Sequence, residues 1–475
     1  MTQIHDLTVA GMAAAIRARD LSPAAVTDHY LSRIEAANAS VGAYFTVDAD
    51  GAREAALAAE KAVAEAADPG LLPPLTGVPV PVKDLNMAAG LRHTFGSAVF
   101  ADNVAAQDDY VTGKLRSAGA IIIGKTSCPE FGLPCYTEGE VGPPARTPWD
   151  TTRSAGGSSG GAAAAVAAGL APAAHGNDGG GSIRIPSSVC GLFGIKPSRG
   201  RISHAPLLPD LMGLTTEGPL ARTVADAALL LDVMAGNMPG DMYLAPPLPD
   251  GATFSGYVGR DPGRLRIGRM LAHPVGDGAV HPDCVAAWED ASSLLASLGH
   301  EVEDVPSPFG ADIVPAFETL WYAMSTIAPV APDDEARLMP LTRYLRERGH
   351  ALRASEVLFA QAYLQIVMRS ALPALDGYDA ILTPTLAAPP AEVGYFGQVG
   401  PAENFERQKR FTPYTPICNV TGQPAVNLPL YWSADGLPIG VMLAGRMGGE
   451  GTLISLSAQV ESARPWRDRH PPAWQ

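Results

Sequence analysis

Two glycine- and serine-rich segments carry the residues of this sequence that are best suited to nucleophilic chemistry. Residues 156–161 read GGSSGG and residues 178–184 read DGGGSIR, with an alanine-rich stretch between them. Three glycines in a row lack Cβ atoms, so their N–H groups are able to converge on one point and stabilise a developing oxyanion. Ser182 follows these glycines directly and is well placed to attack a carbonyl held there. The pattern predicts acyl transfer through a serine nucleophile.

The serine needs a base, and neither segment contains a histidine. Lys83 follows the apolar run VPVPV at residues 78–82. Burial among such neighbours disfavours the ammonium form and lowers the lysine pKa, which would provide a neutral amine as base. Most lysines are exposed, so Lys83 alone favours a plainer interpretation, a lysine at a strand end that pairs with Asp84. These residues by themselves leave both interpretations open.

Two shorter motifs match well-known functional loops but lack the required context. Residues 119–126, GAIIIGKT, fit the phosphate-binding pattern G-x-x-x-x-G-K-[ST]. Their inner residues AIII predict a strand, and no helix-forming run follows, so we interpret the segment as a strand ending in a turn. Residues 157–161, GSSGG, fit a nucleophile elbow with Ser159 as the nucleophile. The preceding residues are polar, whereas the elbow requires a buried strand, so we disfavour this motif as well.

The elements that must position these residues alternate between helices and strands. Periodicity and capping signals predict helices at residues 8–18, 23–37, 48–67, 108–118, 223–235, 281–298, most of 311–375, and 452–463. Strands are predicted at residues 78–82 (irregular or at an edge), 120–123, 265–270, 300–305, 379–383, 425–430 and 439–444. Residues 239–262 are rich in proline, glycine and aspartate and predict a linker. The alternation predicts an α/β sandwich with a large sheet.

Composition excludes several classes of function. The chain has 475 residues, of which 47% are hydrophobic, and this supports a substantial buried core. Its net charge of −15, with no basic stripe, argues against nucleic acid as a ligand. Five cysteines without a C-x-x-C pair argue against a disulfide framework or a zinc site and favour a reducing compartment. The apolar stretch 161–174 is too short to span a bilayer, so we expect a cytoplasmic protein.

Taken together, the motifs resemble the amidase signature family. The matching segments are GVPVPVKD at 77–84, GGSSGG at 156–161, DGGGSIRIP at 178–186, GLFGIKP at 191–197, GRIS at 200–203, EGPLAR at 217–222, NVTGQPA at 419–425 and GLPIG at 436–440. The resemblance spans about residues 8–465 in the expected order and implies one domain over residues 1–475, with a mixed β-sheet core covered by helices on both sides. It divides the chain into N-terminal helices (1–70), a signature core (71–236) and a C-terminal part (263–475) that includes a variable pocket segment (306–415).

The resemblance also implies roles for individual residues, and it favours the catalytic interpretation of Lys83. Ser182 would be the nucleophile, and Ser158 would pass its proton to Lys83. The N–H groups of four residues would form the oxyanion hole: Gly179, Gly180, Gly181 and Ser182. Supporting roles fall to Ser159, which would assist the proton relay, and to Asp178 and Arg184, which would hold the glycine loop as an ion pair. The Gly157–Ser158 peptide bond would be cis, and no metal or organic cofactor would be needed.

Two positions depart from the family pattern. Asn177 stands where threonine is frequent, and Gly179 where many relatives carry a larger residue. We expect neither to touch the chemistry, although a third glycine would loosen the loop or make room for a bulky acyl group.

The family is broad, and its members act on aliphatic and aryl amides, fatty-acid amides, nylon oligomers and carbamates. Segments 175–178 with 189–191, and 237–241 with 273–277, look most like the nylon-oligomer and urethane-cleaving members. We therefore expect a serine amidohydrolase, monomeric or homodimeric, that cleaves a small to medium, largely apolar amide, anilide or carbamate. The alternative is the glutaminase subunit of a tRNA-dependent amidotransferase. Candidate pocket residues are Leu133, Cys135, Tyr136, Trp321 and Tyr322.

Overall fold

Helices and strands alternate along the chain in the computed structural model, which describes residues 3–206, 209–275 and 278–474. The helices are α1 (Val9–Arg17), α2 (Pro23–Val41), α3 (Ala49–Glu65), α4 (Tyr110–Ser117), α5 (Gly160–Ala167), α6 (Arg184–Cys190), α7 (Val224–Met234), α8 (Pro282–Ser297), α9 (Ile313–Ser325), α10 (Pro340–Ala351), α11 (Ala354–Ala371), α12 (Pro401–Phe411), α13 (Thr415–Thr421) and α14 (Glu450–Ala463). The strands are β1 (Tyr44–Val47), β2 (Val82–Lys83), β3 (Gly124–Thr126), β4 (Ala173–Asp178), β5 (Phe193–Lys196), β6 (Thr216–Ala221), β7 (Arg266–Arg269), β8 (Glu301–Asp304), β9 (Ala380–Pro384), β10 (Ala425–Trp432) and β11 (Pro438–Gly445).

Capping residues set the start of several helices at the positions that the sequence predicts. The Ser22 side chain accepts a hydrogen bond from the backbone of Ala25, and Pro23 occupies the first turn of α2. Thr223 caps α7 in the same way through the backbone of Asp226. The helix α2 ends at Gly42, which adopts the left-handed conformation (φ 61°) that favours glycine.

An eight-stranded mixed sheet forms the centre of the fold, in the order β4-β6-β5-β10-β11-β9-β7-β8. Strands β10 and β11 pair antiparallel, whereas β7 pairs parallel with both β8 and β9. Helices flank the sheet, and one cluster of buried apolar side chains includes residues from Val9 to Trp466. The predicted α/β class is confirmed. The division of the chain into segments stays a prediction.

A second sheet, in the order β1-β3-β2, carries Lys83 at the end of β2. Strand β2 runs parallel to β3, with Lys83 opposite Thr126. The predicted strand at 78–82 is largely irregular, as its prolines indicated, since Pro79 and Pro81 have no N–H to donate. The strand predicted at 120–123 is wrong in position, because the facing segment 78–82 lacks these N–H donors and forms no continuous ladder with it. Its Ile121 makes only an isolated bridge to Pro79, and the ladder begins at Gly124.

Lys125 lies on β3 and is fully buried, with its Nζ 3.0 Å from Asp84 Oδ1 and 2.6 Å from the carbonyl oxygen of Asn86. Residues 119–126 therefore end in a buried strand and do not form a phosphate-binding loop. The same contact shows that Asp84 pairs with Lys125, so the plainer interpretation of Lys83 is wrong.

Residues 239–262 contain one short 3₁₀ turn, Ser255–Tyr257, and otherwise irregular backbone. This agrees with the linker composition of the segment. None of the helices within the described ranges has both the length and the apolar character required to cross a membrane.

Candidate active site

Lys83 is fully buried, and its Nζ contacts three polar side chains. The distances are 2.7 Å to Ser158 Oγ, 3.0 Å to Ser159 Oγ and 2.6 Å to Asn177 Oδ1. Burial lowers the pKa of Lys83 to about 8, against weaker opposing effects of Cys128, Glu217 and Asp178. A substantial fraction of this amine is therefore neutral at mildly alkaline pH and able to accept a proton.

The two glycine-serine segments lie side by side. Ser158 and Ser159 precede α5, and the Gly157–Ser158 peptide bond is cis, as predicted. The backbone N–H of Ser159 donates to the carbonyl oxygen of Ser182 (3.2 Å), and the Ser159 hydroxyl donates to the carbonyl oxygen of Asn177 (3.1 Å). The fold thus brings both serine-bearing segments to Lys83.

Ser182 lies in the loop between β4 and α6 and lines an open cleft. Ser182 is buried, with 6% of its surface exposed. Among the described residues, no hydrogen bond joins the Ser182 hydroxyl to Ser158 or to any other group. The relay predicted between Ser182 and Ser158 is therefore not closed in this structure, whereas its other half, from Ser158 to Lys83, is formed. Ser159, the nucleophile of the disfavoured elbow motif, is fully buried beside Lys83.

The predicted ion pair between Asp178 and Arg184 is present and has no solvent exposure. Arg184 Nη2 lies 2.9 Å from Asp178 Oδ1 and Nε lies 3.0 Å from Oδ2, which is a bidentate contact. Burial alone would raise the pKa of the Asp178 carboxyl, but Arg184 and the amide of Asn419 bring it well below its usual range. A charged carboxylate consequently anchors the start of the glycine loop.

The Asp178 carboxylate also removes one donor from the predicted oxyanion hole. The N–H of Gly181 donates to Asp178 Oδ1 at 2.7 Å, so Gly181 is not available to an oxyanion. The N–H groups of Gly179, Gly180 and Ser182 have no acceptor among the hydrogen bonds of the described residues. Gly181 must nevertheless be glycine, since its φ is 131° and a Cβ would lie 2.3 Å from Thr415 Oγ1.

The cleft next to Ser182 opens to solvent and has a cavity volume of about 90 Å³. It is lined mainly by apolar side chains from the 133–135 loop, α9, α12 and α13: Leu133, Pro134, Cys135, Ile313, Val314, Phe317, Trp321, Phe405, Ile417 and Val420. Leu133, Cys135 and Trp321, which we predicted as pocket residues, line this cleft, and their contact with a substrate stays a prediction. Lys409 also lines the cleft, but its Nζ is bonded to Glu318 and, at 2.6 Å, to Glu406.

Two predicted lining residues lie outside this cleft. The Tyr136 hydroxyl accepts a hydrogen bond from Asn404 (2.8 Å), and its ring stacks on Phe396 at 4.8 Å. Tyr136 therefore packs behind the residues that line the cleft. Tyr322 packs against Phe405 at 5.8 Å instead. Successive residues of a helix point about 100° apart, so Trp321 and Tyr322 of α9 face different neighbours.

Our expectation that Asn177 does not touch the chemistry is wrong, because its Oδ1 contacts Lys83 Nζ. His175, two residues earlier on β4, accepts the backbone N–H of Lys83 at its Nδ1 (3.4 Å) and bonds Glu217 through Nε2 (2.7 Å). Glu217 in turn bonds His204 at 3.1 Å. One feature of the sequence could have indicated these two residues. Side chains alternate along a strand, so residues 175 and 177 of β4 lie on the same face.

Comparisons with known proteins agree with this architecture. The sequence profile of the amidase family matches residues 25–454. The chain is 40% identical to the putative amidase AmiB2 of Mycobacterium bovis over 484 residues, which cover 98% of each protein. It is 34% identical to the 6-aminohexanoate-cyclic-dimer hydrolase of Paenarthrobacter ureafaciens over 431 residues, which cover 84% of this chain and 85% of the relative. A solved structure of 6-aminohexanoate cyclic dimer hydrolase superposes with a TM-score of 0.92 at 31% identity, covering 100% of both chains.

The chain therefore belongs to the amidase signature family, whose members are hydrolases of C–N bonds other than peptide bonds.

Proposed function

We propose that this chain is a serine amidohydrolase that forms an acyl-enzyme on Ser182. The observation that carries the proposal is the buried Lys83 amine, 2.7 Å from Ser158 Oγ, next to a serine that opens on an apolar cleft. Of the serines in the two motifs, Ser182 is the one that lines this cleft. Ser159 is enclosed and already bonded, so a substrate carbonyl has no access to it.

The reaction begins with a proton relay. Neutral Lys83 takes the proton of Ser158, which takes the proton of Ser182 once that side chain rotates towards it in the substrate complex. The Ser182 oxygen then attacks the carbonyl carbon. The carbonyl oxygen becomes negatively charged and is stabilised by the free N–H groups of the glycine loop, those of Gly179, Gly180 and Ser182.

Collapse of this intermediate breaks the C–N bond. The leaving nitrogen receives the relay proton from Ser158, which is replenished by Lys83, and departs as an amine. Water then enters, gives one proton to the same relay and attacks the acyl ester, and the acid product leaves as Ser182 recovers its proton. A carbamate would follow the same steps, and the carbamic acid released would then lose carbon dioxide.

The cleft supports a neutral, largely apolar acyl group. Its described lining is apolar apart from a few polar groups, and the Lys409 ammonium is paired with two carboxylates, those of Glu318 and Glu406, so it does not favour an anionic acyl group. Phe317 and Trp321 stack at 5.4 Å and present aromatic surface to a substrate. The likeness to the cyclic-dimer hydrolases makes 6-aminohexanoate amides reasonable substrates to test. We also place the protein in the cytoplasm, which the five free, buried cysteines support.

The test is intact-mass analysis and peptide mapping after incubation with a fluorophosphonate, for the wild type and for the Ser182→Ala, Ser159→Ala and Lys83→Met variants. We expect one adduct on Ser182 in the wild type, the same adduct formed more slowly in Ser159→Ala because Ser159 contacts Lys83 Nζ, and none in Ser182→Ala. In parallel, p-nitroacetanilide, a p-nitrophenyl carbamate, the 6-aminohexanoate cyclic dimer and glutamine are offered as substrates.

The relative rates decide the reaction subtype. Release of p-nitroaniline from the anilide, lost in Ser182→Ala, supports the amidase, and faster cleavage of the carbamate would identify a urethanase. An adduct on Ser159, or turnover that survives in Ser182→Ala, refutes the assignment. Hydrolysis of glutamine alone would favour the glutaminase subunit of an amidotransferase in place of a stand-alone amidohydrolase.

A further inference from the structure

The three groups that contact Lys83 Nζ differ in whether they accept a hydrogen bond from the amine or donate one to it. Asn177 Oδ1 is a carbonyl oxygen and only accepts. The Ser159 hydroxyl uses its proton on the carbonyl oxygen of Asn177, so it also accepts from Nζ. The Ser158 hydroxyl makes no other contact with an acceptor among the described residues, so its proton is available to Lys83.

A neutral lysine amine has two N–H groups and one lone pair. Asn177 and Ser159 take the two N–H groups, and the lone pair is left facing Ser158 Oγ at 2.7 Å. We propose that Asn177 is a positioning residue, held by Asn86, which together with Ser159 turns the lone pair of Lys83 towards Ser158. This inference rests on the proposed function, because it explains how the base of that mechanism is aimed.

Asn86 fixes which end of the Asn177 carboxamide faces the lysine. Asn177 Nδ2 donates to Asn86 Oδ1 at 3.3 Å, so Asn177 Oδ1 points to Lys83. Asn86 is itself tied to the backbone of Lys83, because its N–H donates to the Lys83 carbonyl oxygen at 2.9 Å. Turning the Asn177 amide over would set its NH₂ group against the Lys83 N–H groups and its oxygen against Asn86 Oδ1. Both contacts would then be lost.

The hydrogen bond from Lys83 to Asn177 is stronger when the lysine is charged. Its removal should therefore lower the pKa of Lys83, whereas a carboxylate at position 177 should raise it. The titratable groups that surround Lys83 are Cys128 and Glu217, the carboxylate of Asp178, and His175 behind its backbone. None of these groups changes in a variant at position 177. Shifts of the Lys83 pKa in opposite directions in the two variants would therefore be caused by the new side chain at that position.

The experiment compares Asn177→Ala and Asn177→Asp with the wild type, using Asn237→Ala as the control. Asn237 is exposed and bonds Gly200 and Asp241, away from the lysine. Lysine labelled with ¹³C at Cε gives six signals, one for each lysine of the chain. The Lys83 signal is assigned by its absence in Lys83→Met, and its titration is followed by NMR beside the pH profile of kcat.

We expect Asn177→Ala to titrate at lower pH than the wild type, with plateau kcat reduced by about 10- to 100-fold, within the range of a general base. Asn177→Asp should titrate at least about one pH unit higher, with the acid limb of its kcat profile moved equally. Asn237→Ala should match the wild type. Unchanged Lys83 titration in both variants at position 177 overturns the inference. So does a loss of kcat at an unchanged midpoint, which is the mark of a structural role.

The two proposals fail in different ways. If the wild type turned over no substrate and formed no adduct on Ser182, the proposed function would fail. The NMR titration would still decide whether Asn177 controls the protonation of Lys83, since it requires no activity.

Discussion

Replacing Arg184 by methionine should destabilise the protein strongly. Methionine approximates the length of the arginine stem but donates no hydrogen bond. The guanidinium that it removes donates to both oxygens of Asp178, to the carbonyl oxygen of Thr415 (2.8 Å) and to Asn419 Oδ1 (2.8 Å), all without solvent exposure. The carboxylate of Asp178 would remain buried without its cation. Removal of one partner of a buried ion pair costs about 3–5 kcal/mol, and we expect a loss of that size at pH 7.5.

The difference in stability between the wild type and Arg184→Met should depend on pH in a definite direction. In the wild type the pKa of Asp178 lies well below its usual range, so its stabilising contribution is present above about pH 4 and is lost as the pH falls through the folded-state pKa. In Arg184→Met, burial acts without the opposing arginine and should raise that pKa above the unfolded value. Protonation then relieves the buried charge, so the stability gap should shrink as the pH falls from 7.5 to 5.5.

Urea unfolding followed by far-UV circular dichroism at both pH values measures the gap. The matched control is Arg53→Met, which removes an exposed arginine 2.8 Å from Asp28 and should leave the urea midpoint unchanged within error. A gap below about 1 kcal/mol at pH 7.5, or one that widens on acidification, would refute the reasoning. It would mean that Asn419, or the buried Lys196, whose charge also lowers the pKa of Asp178, is sufficient to stabilise that carboxylate.

Three further predictions concern activity. The kcat/KM of the wild type should rise about tenfold per pH unit up to about pH 8 and then level, since Lys83 must be neutral; a flat profile between pH 6 and 9 would contradict this assignment. Gly181→Ala should lose at least about 100-fold in kcat while its circular dichroism spectrum is retained, because the new Cβ would lie 2.3 Å from Thr415 Oγ1 and displace the oxyanion donors. Trp321→Ala should enlarge the cleft and raise the kcat/KM of bulky acyl anilides relative to p-nitroacetanilide, whereas an equal loss for both would place Trp321 outside the acyl site.

The glycine-rich motif singles out Ser182 locally, whereas the roles of Lys83 and Ser158 were implied by the resemblance to the amidase signature family. These catalytic roles stay a prediction. The ion pair of Asp178 with Arg184, which the resemblance also implied, is present. The strand alternation and helix caps were sufficient to predict the α/β class, since burial and capping act over a few residues.

The errors come from contacts between distant residues. Asn177 lies 94 positions from Lys83, and only the packing of β4 against β2, which belong to different sheets, shows that they meet. The alternative pairing of Lys83 with Asp84, which the local sequence left open and the resemblance disfavoured, is absent because Lys125, 41 positions from Asp84, reaches that carboxylate. Tyr322 was predicted as a pocket residue together with Trp321, but neighbours in a helix do not share a face.

The cleft has consequences for how new specificities could be obtained. Among the described residues, all the side chains bonded to Lys83 Nζ precede residue 178. Much of the facing wall is supplied by α9, which lies between β8 and β9, and by α12, which lies between β9 and β10. The groups bonded to the lysine and the α9–α12 part of the cleft wall are thus encoded in separate stretches of the gene. A mutant library confined to residues 313–411, or an exchange of that stretch with a relative, would diversify the substrate range while leaving the atoms around the lysine unchanged.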